Sequence, residues 1–257
     1  MLFARLLQFL DTYASLAAQP PMGLGQTISA TLAPDWDALR EQVGGRLFQS
    51  TPFAEACFSE PFDSPKCIAA RKDYRDEEAR TDHPAGYTQT QWETCQATSQ
   101  QCLLDYRLPD KQDPTTRHKQ CFQGSVPSHF IRVQQPSDIS AAFKFSKQSQ
   151  VPLVIKNTGH DYMGRSSAPG SLALWMHNLK DMSYNPAFVP DGCHGLVTPR
   201  TAITLGAGVQ WGEAYAFAEQ HNVTLVGGDV DDPRRQLPAL VSGWLGRVLD
   251  GERRRAH

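Results

Sequence analysis

Between residues 126 and 229, short apolar runs alternate with helical periodicity, and glycine or proline clusters separate them. Phe130-Ile131-Arg132-Val133 reads as a strand. Pro136-Ser137-Asp138 opens a helix that runs to Gln148, with Ile139, Ala142, Phe143 and Ser146 at helical spacing. Val151 to Lys156 is the next strand, so a βαβ unit with short connections is predicted. A polar, glycine-bearing loop follows, then a strand over Ser171 to Met176 and a turn at His177-Asn178-Leu179-Lys180. Thr201 to Leu205 is a further strand, ended by Gly206-Ala207-Gly208. The helix after it spans Trp211 to Gln220, with Trp211, Ala214, Tyr215 and Ala218 on one face and Asn222 as its C-terminal cap. Val223 to Val226 closes the series before Gly227-Gly228-Asp229.

The rhythm is weaker on either side. Asp35 caps a helix with Trp36, Leu39 and Val43 on one face, Gly44-Gly45 ends it, and Arg46-Leu47-Phe48 reads as a short strand. Ser64-Pro65 starts a charged helix running to Ala79, and the mixed charges of Arg71 to Arg80 predict a solvated face. Trp92 to Asp105 reads either as a helix or as a strand and loop stapled by Cys95 and Cys102, and Asp110 to His118 as polar loop. After Asp229 the chain turns Arg- and Pro-rich, with a weak helix over Leu237 to Leu249. The fold class is α+β.

Composition adds constraints. Of 257 residues, 40% are hydrophobic and 20% charged, as in ordinary globular chains. The net charge of -2 gives nucleic acid or an anionic membrane no electrostatic footing. No apolar run reaches the roughly 20 residues of a membrane-spanning helix. Six cysteines lie at 57, 67, 95, 102, 121 and 193, without the spacing of zinc knuckles. Structural disulfides in an oxidising compartment are the better reading, with the pairing open. Residues 1–18 carry an early Arg5, a short apolar segment and small residues, like a signal peptide. Asp11 interrupts that apolar segment, so an amphipathic helix is the other reading. Asn222-Val223-Thr224 is a glycosylation sequon, relevant if the chain is secreted.

The chemistry concentrates in Lys156-Asn157-Thr158-Gly159-His160-Asp161-Tyr162-Met163-Gly164-Arg165-Ser166. A loop after the C-terminal end of a strand is a usual ligand position in open α/β sheets. Gly159 and Gly164 let backbone approach a diphosphate, Asn157, Thr158 and Ser166 add polar groups, and Lys156 and Arg165 can balance charge. The loop is neither a P-loop nor a Rossmann fingerprint. Composition therefore leaves two readings, an anion cradle and a solvated connection. Asp161 stands beside His160, where it could orient the imidazole or raise its pKa.

The run from Val154 to Lys180 resembles the flavin-binding loop of the berberine bridge enzyme-like oxidoreductases, within the vanillyl alcohol oxidase family, and is closest to secreted fungal members. Lys156 to Asp161 and Ala173 to Lys180 carry the resemblance, as do Gly206-Ala207-Gly208-Val209, Glu213, Tyr215 and Val226 to Asp229. Trp36, Gly44 to Leu47 and the cysteines after them support it. The resemblance implies a PCMH-type FAD-binding domain at residues 126–229, preceded by a cysteine-bearing segment at 19–125 and followed by a divergent tail at 230–257. It implies FAD attached through His160, with the diphosphate held by the 156–166 loop and Gly206, Gly208 and Val209 near the cofactor. It further implies hydride removal from an alcohol, sugar or secondary metabolite, with O2 as acceptor. Many relatives attach the flavin a second time, through a cysteine at the place of Val230; valine has no nucleophile, so that link is not available here. The C-terminal half of the family fold, with its catalytic base and substrate pocket, is not visible in the sequence. A truncated chain without activity is one alternative, and a secreted, disulfide-stapled binding protein is another. A truncated sheet would leave an open edge and a tendency to aggregate.

Overall fold

The structure, a computed structural model, describes residues 34–111, 120–193, 195, 197–226 and 248–249. The segment read as a signal peptide, Gly227 to Asp229, Val230 and nearly all of the tail lie outside the described residues.

Helix α1, Trp36–Gln42, begins where the Asp35 carboxylate accepts from the Ala38 amide, 2.9 Å away. It ends at Gly44 and Gly45, both at positive φ. Leu39 and Val43 face inward, and strand β1, Leu47–Gln49, follows. Three short helices come next: α2 at Ala56–Ser59, α3 at Pro65–Lys72 and α4 at Glu77–Thr81. The single helix predicted from Ser64 to Ala79 is therefore two. Tyr74 turns fully inward between them, and the Asp76 carboxylate caps a new start by accepting from the Ala79 amide. The solvated face expected over Arg71 to Arg80 is corrected as well, since Arg80 is only 1% exposed. Trp92 to Asp105 is neither of the two forms expected. A 3-10 turn covers Thr90–Glu93 and the remainder is irregular. The expected disulfides form as Cys57–Cys67 and Cys102–Cys121, so Cys102 does staple this segment while Cys95, a buried thiol, does not.

The main sheet contains β1, β2 (His129–Arg132), β3 (Leu153–Lys156) and β4 (Leu172–Trp175), with α5 (Pro136–Ser149) crossing from β2 to β3. Its order is β1-β2-β4-β3; β2 and β3 both run parallel to β4, and β1 is antiparallel to β2. The predicted βαβ unit is thus present with a gap, which β4 fills. All of β4 is buried, as its unbroken apolar sequence requires of a central parallel strand. The core joins Leu39, Val43 and Leu47 to Ile131, Val133, Ala142, Phe145, Leu172 and Leu174. Helix α5 buries Asp138, Ala142, Phe145 and Ser149. Phe143, expected on that face, is 55% exposed, and Phe145 instead packs against Trp36 with ring centroids 4.8 Å apart. Arg46 pairs with Asp138, whose carboxylate also accepts from the Gln134 and Gln135 amides and so ties β1 to the start of α5.

The second apolar cluster gathers Ile203, Val209, Ala214, Ala218 and Leu225. It lies between a hairpin of β5 (Met182–Phe188) and β6 (Arg200–Leu205) and helix α6 (Trp211–Gln220). Strand β5 was not predicted: Pro186 interrupts it, and the register shifts between Asn185 and Phe188. Asn222 takes φ +54° just past α6, as a C-terminal cap does. Tyr215 does not join the buried face of α6 but stacks on Trp211. Strand β7, Thr224–Leu225, pairs with β8, Val248–Leu249, so the last two residues of the predicted tail helix are extended instead.

Candidate flavin site

The 157–171 connection leaves the C-terminal end of β3 and returns to the start of its parallel neighbour β4. The loop that carries the chemistry is therefore a crossover without a helix, and its shape depends on side chains and on the segment beneath it.

Asp161 is its organiser. The carboxylate accepts from the Met163 amide at 3.2 Å, the Arg165 amide at 2.6 Å and the Arg165 guanidinium at 2.9 Å. Those bonds, the Arg165 side chain foremost, hold its pKa below the usual carboxylate range. Asp161 is committed to the 161–165 turn, so the expectation that it orients His160 or raises its pKa is corrected. Burial, reinforced by the Lys156 charge and opposed by Glu77, instead pushes the His160 imidazole down. At neutral pH that ring is uncharged and its nitrogen lone pair is available. Arg165 is paired on the surface.

Lys156 departs furthest from its expected role. It is fully buried, with Nζ donating to the His83 carbonyl at 3.0 Å and the Thr158 carbonyl at 3.5 Å, beside the Tyr87 and Trp175 rings. Burial lowers its pKa to about 7, with Arg80 adding to the effect and Glu93 and Asp82 opposing it. It holds the loop from within, and balancing a diphosphate is not the role this placement gives it. The glycines are also explained partly by protein contacts. A Cβ on Gly164, at φ +69°, would stand 2.4 Å from the Trp92 ring, and one on Gly159, at φ +92°, would stand 2.9 Å from the Gly86 carbonyl oxygen.

The loop meets the other predicted segment. Asn157 Nδ2 donates to the Ala207 carbonyl at 2.7 Å, joining the end of β3 to Gly206, Gly208 and Val209. Gly206 and Gly208 press against the backbone of Leu179 and His177, leaving no room for a side chain, and Val209 is buried. Thr158 and Ser166 are buried as well. Several buried polar atoms here have no hydrogen-bond partner among the described residues: His160 Nε2, Ser166 Oγ, Trp92 Nε1 and Trp175 Nε1. Buried polar groups are normally satisfied, so such a group of orphans around one loop fits a polar ligand. They are suited to FAD, which offers phosphate oxygens, ribityl hydroxyls and ring carbonyls.

The sequence reading missed residues 80–93, which underlie the loop. Tyr87 Oη donates to the Ser166 carbonyl at 2.9 Å, Thr88 Oγ1 to the Gly159 carbonyl at 3.3 Å, and Ser167 Oγ to the Trp92 carbonyl at 2.8 Å. The apolar and aromatic character of Tyr74, Tyr87 and Trp92 was the available signal, masked by the charges among them.

Residues 127–246 match the family described as FAD binding domain. By that match the chain carries an FAD-binding domain, and it is similar to FAD-linked oxidoreductases and to a flavoprotein of the vanillyl alcohol oxidase type. It is 38% identical over 237 residues to the FAD-linked oxidoreductase cheF of Chaetomium globosum, covering 89% of this chain and 36% of cheF. To the FAD-linked oxidoreductase ffsJ of Aspergillus flavipes it is 39% identical, covering 78% of this chain and 33% of ffsJ. The VAO-type flavoprotein MtVAO615 of Myceliophthora thermophila superposes with a TM-score of 0.61 at 30% identity, over 76% of this chain and 33% of that one. The chain spans about a third of the length of these relatives. The α+β architecture is that of their PCMH-type FAD-binding fold.

Proposed function

We propose that the chain binds FAD covalently through His160 and serves an FAD-dependent oxidase. The observation that carries this reading is His160 Nε2, a buried nitrogen on a half-buried imidazole that has no hydrogen-bond partner among the described residues, with Ser166 Oγ likewise unpartnered on the same loop. When bound, the flavin supplies hydride acceptance from an alcohol, sugar or secondary metabolite and reoxidation by O2. The chain's own residues do the holding. His160 would offer its ring nitrogen to the flavin, Ser166 Oγ and the loop backbone would hold the diphosphate, and Asn157 locks the loop to the Gly206–Val209 segment. Asp161 and Arg165 keep the turn closed over the surface. The titre of hydrogen peroxide from purified, yellow protein on a panel of alcohols and sugars tests the oxidase reading. Peroxide above the flavin-free control supports it. A flavin-loaded protein reduced by a panel member, yet giving no peroxide in air, would mean another electron acceptor.

We also propose secretion, supported by the two disulfides between residues 57 and 121 and by the exposed Asn222 of the sequon. Endoglycosidase treatment of protein made in a secreting fungal host should lower its mass, and Thr224→Ala should abolish that change. Equal masses with and without the enzyme would argue against passage through the secretory route.

A further inference from the structure

We infer that Tyr87 is the positioning residue of the His160 loop, and that the buried Arg80–Glu93 pair exists to fix Tyr87. The inference rests on the flavin reading for its purpose and on geometry for its substance. Tyr87 is 1% exposed and is held at both peptide groups. Its amide donates to Glu93 Oε1 at 3.0 Å, and its carbonyl accepts from Arg80 Nε at 2.7 Å. Arg80 and Glu93 pair directly, both fully buried, and Arg80 Nη1 also donates to the Tyr74 carbonyl at 3.0 Å. A buried ion pair is a poor source of net stability, and its better-attested use is to specify one arrangement. Here the arrangement specified is the course of residues 86–88 along the loop.

From that fixed backbone three contacts reach both ends of the loop. Tyr87 Oη holds the Ser166 carbonyl at the far end, and Thr88 Oγ1 holds the Gly159 carbonyl next to His160. The Gly86 carbonyl abuts Gly159, while Gly86 itself presses on the Arg80 carbonyl, where a Cβ would come within 2.4 Å. Backbone is therefore stacked on backbone from Arg80 through Gly86 to Gly159, with no side chain between to absorb a shift. Lys156 adds a parallel tie from the base of the loop to the His83 carbonyl. The segment between β1 and β2 thus sets where the imidazole stands.

Tyr87→Phe keeps the ring and deletes only the hydroxyl bond to Ser166, and Thr88→Val deletes only the bond to Gly159. Two readouts apply to each full-length variant: deuterium uptake at the amides of 163–167, with α5 as internal reference, and the fraction of polypeptide that keeps flavin after acid denaturation. The positioning role predicts uptake at 163–167 roughly tenfold faster with α5 unchanged, together with a smaller flavin-bearing fraction. Unchanged uptake at 163–167 in both variants would overturn it. Uptake rising equally in α5 would also overturn it, by reducing Tyr87 to a general core residue, and so would faster loop uptake with an undiminished flavin fraction where the wild type carries flavin. If wild-type protein keeps no flavin while Tyr87→Phe frees the loop alone, the positioning role stands and the covalent flavin reading fails.

Discussion

At the scale of single residues, the loop's glycines and charges do different work from what their types suggest. Gly164 combines a positive φ with a Cβ direction filled by Trp92, so Gly164→Ala must strain the backbone and displace a half-buried ring. It should cost about 1–3 kcal/mol, read from the shift of a urea midpoint at constant m. Gly170 also has positive φ but open space around it, and alanine there should cost less. A difference near zero between the two would contradict the packing explanation. The residues of the loop itself were legible in sequence because their types are unusual together: an imidazole, a carboxylate, hydroxyls and two glycines after an apolar run. Their partners were not. Residue types do not show that Asp161 turns towards Arg165 and not His160, or that Lys156 points into the protein. Asp161 is settled within its own turn by the Met163 and Arg165 amides, and Lys156 by the His83 carbonyl, 73 positions away.

At the scale of elements, helical periodicity placed α1, α5 and α6 well, because caps and glycine stops mark their ends. It was less able to choose the buried face. On α5 the expected stripe through Phe143 rotates to one through Phe145 because Asp138, drawn in by Arg46, fixes the first turn. Phe145→Ala should therefore cost about 3–5 kcal/mol, whereas Phe143→Ala should stay within about 0.5 kcal/mol. Equilibrium denaturation of the two variants distinguishes the faces, and the reverse ranking would contradict the packing. Residues 50–105 were the least legible part. Their helices have four to eight residues, and their order comes from two disulfides and a buried ion pair that span 10, 19 and 13 positions, which helical periodicity does not read. Strand β3 pairs only with β4 among the described residues and leaves Ile155 39% exposed. That edge, with Phe143, predicts self-association at high concentration. A soluble monomer with one cooperative melt, by light scattering and calorimetry, would count against it.

At the scale of the whole molecule, the buried cations make stability depend on pH in a definite direction. Lys156 has a folded pKa of about 7, below its unfolded value, so the unfolded chain binds the extra proton above that pH. Its contribution therefore improves as pH rises from about 7 towards 10. His83 is lowered to about 4 by burial, with Lys156 and Arg80 adding. Its contribution is complete above about pH 6.5 and is lost as pH falls towards 4. Melting temperatures measured in matched buffers should rise from acid to mildly alkaline pH, and Lys156→Met should flatten the upper part of that curve. An unchanged slope in the variant would show that Lys156 is charged and well solvated. All of these effects converge on the loop that the two halves of the described chain share, one supplying His160 and the other its support.

The central claim is that this loop holds a flavin by a bond to His160. Purified protein should be denatured in acid, separated from small molecules, and its visible spectrum recorded with the polypeptide. The account predicts flavin absorbance that stays with wild-type chain and is absent from His160→Ala, which still folds by circular dichroism. Colour that washes away from wild type, or that persists in the variant, would contradict it.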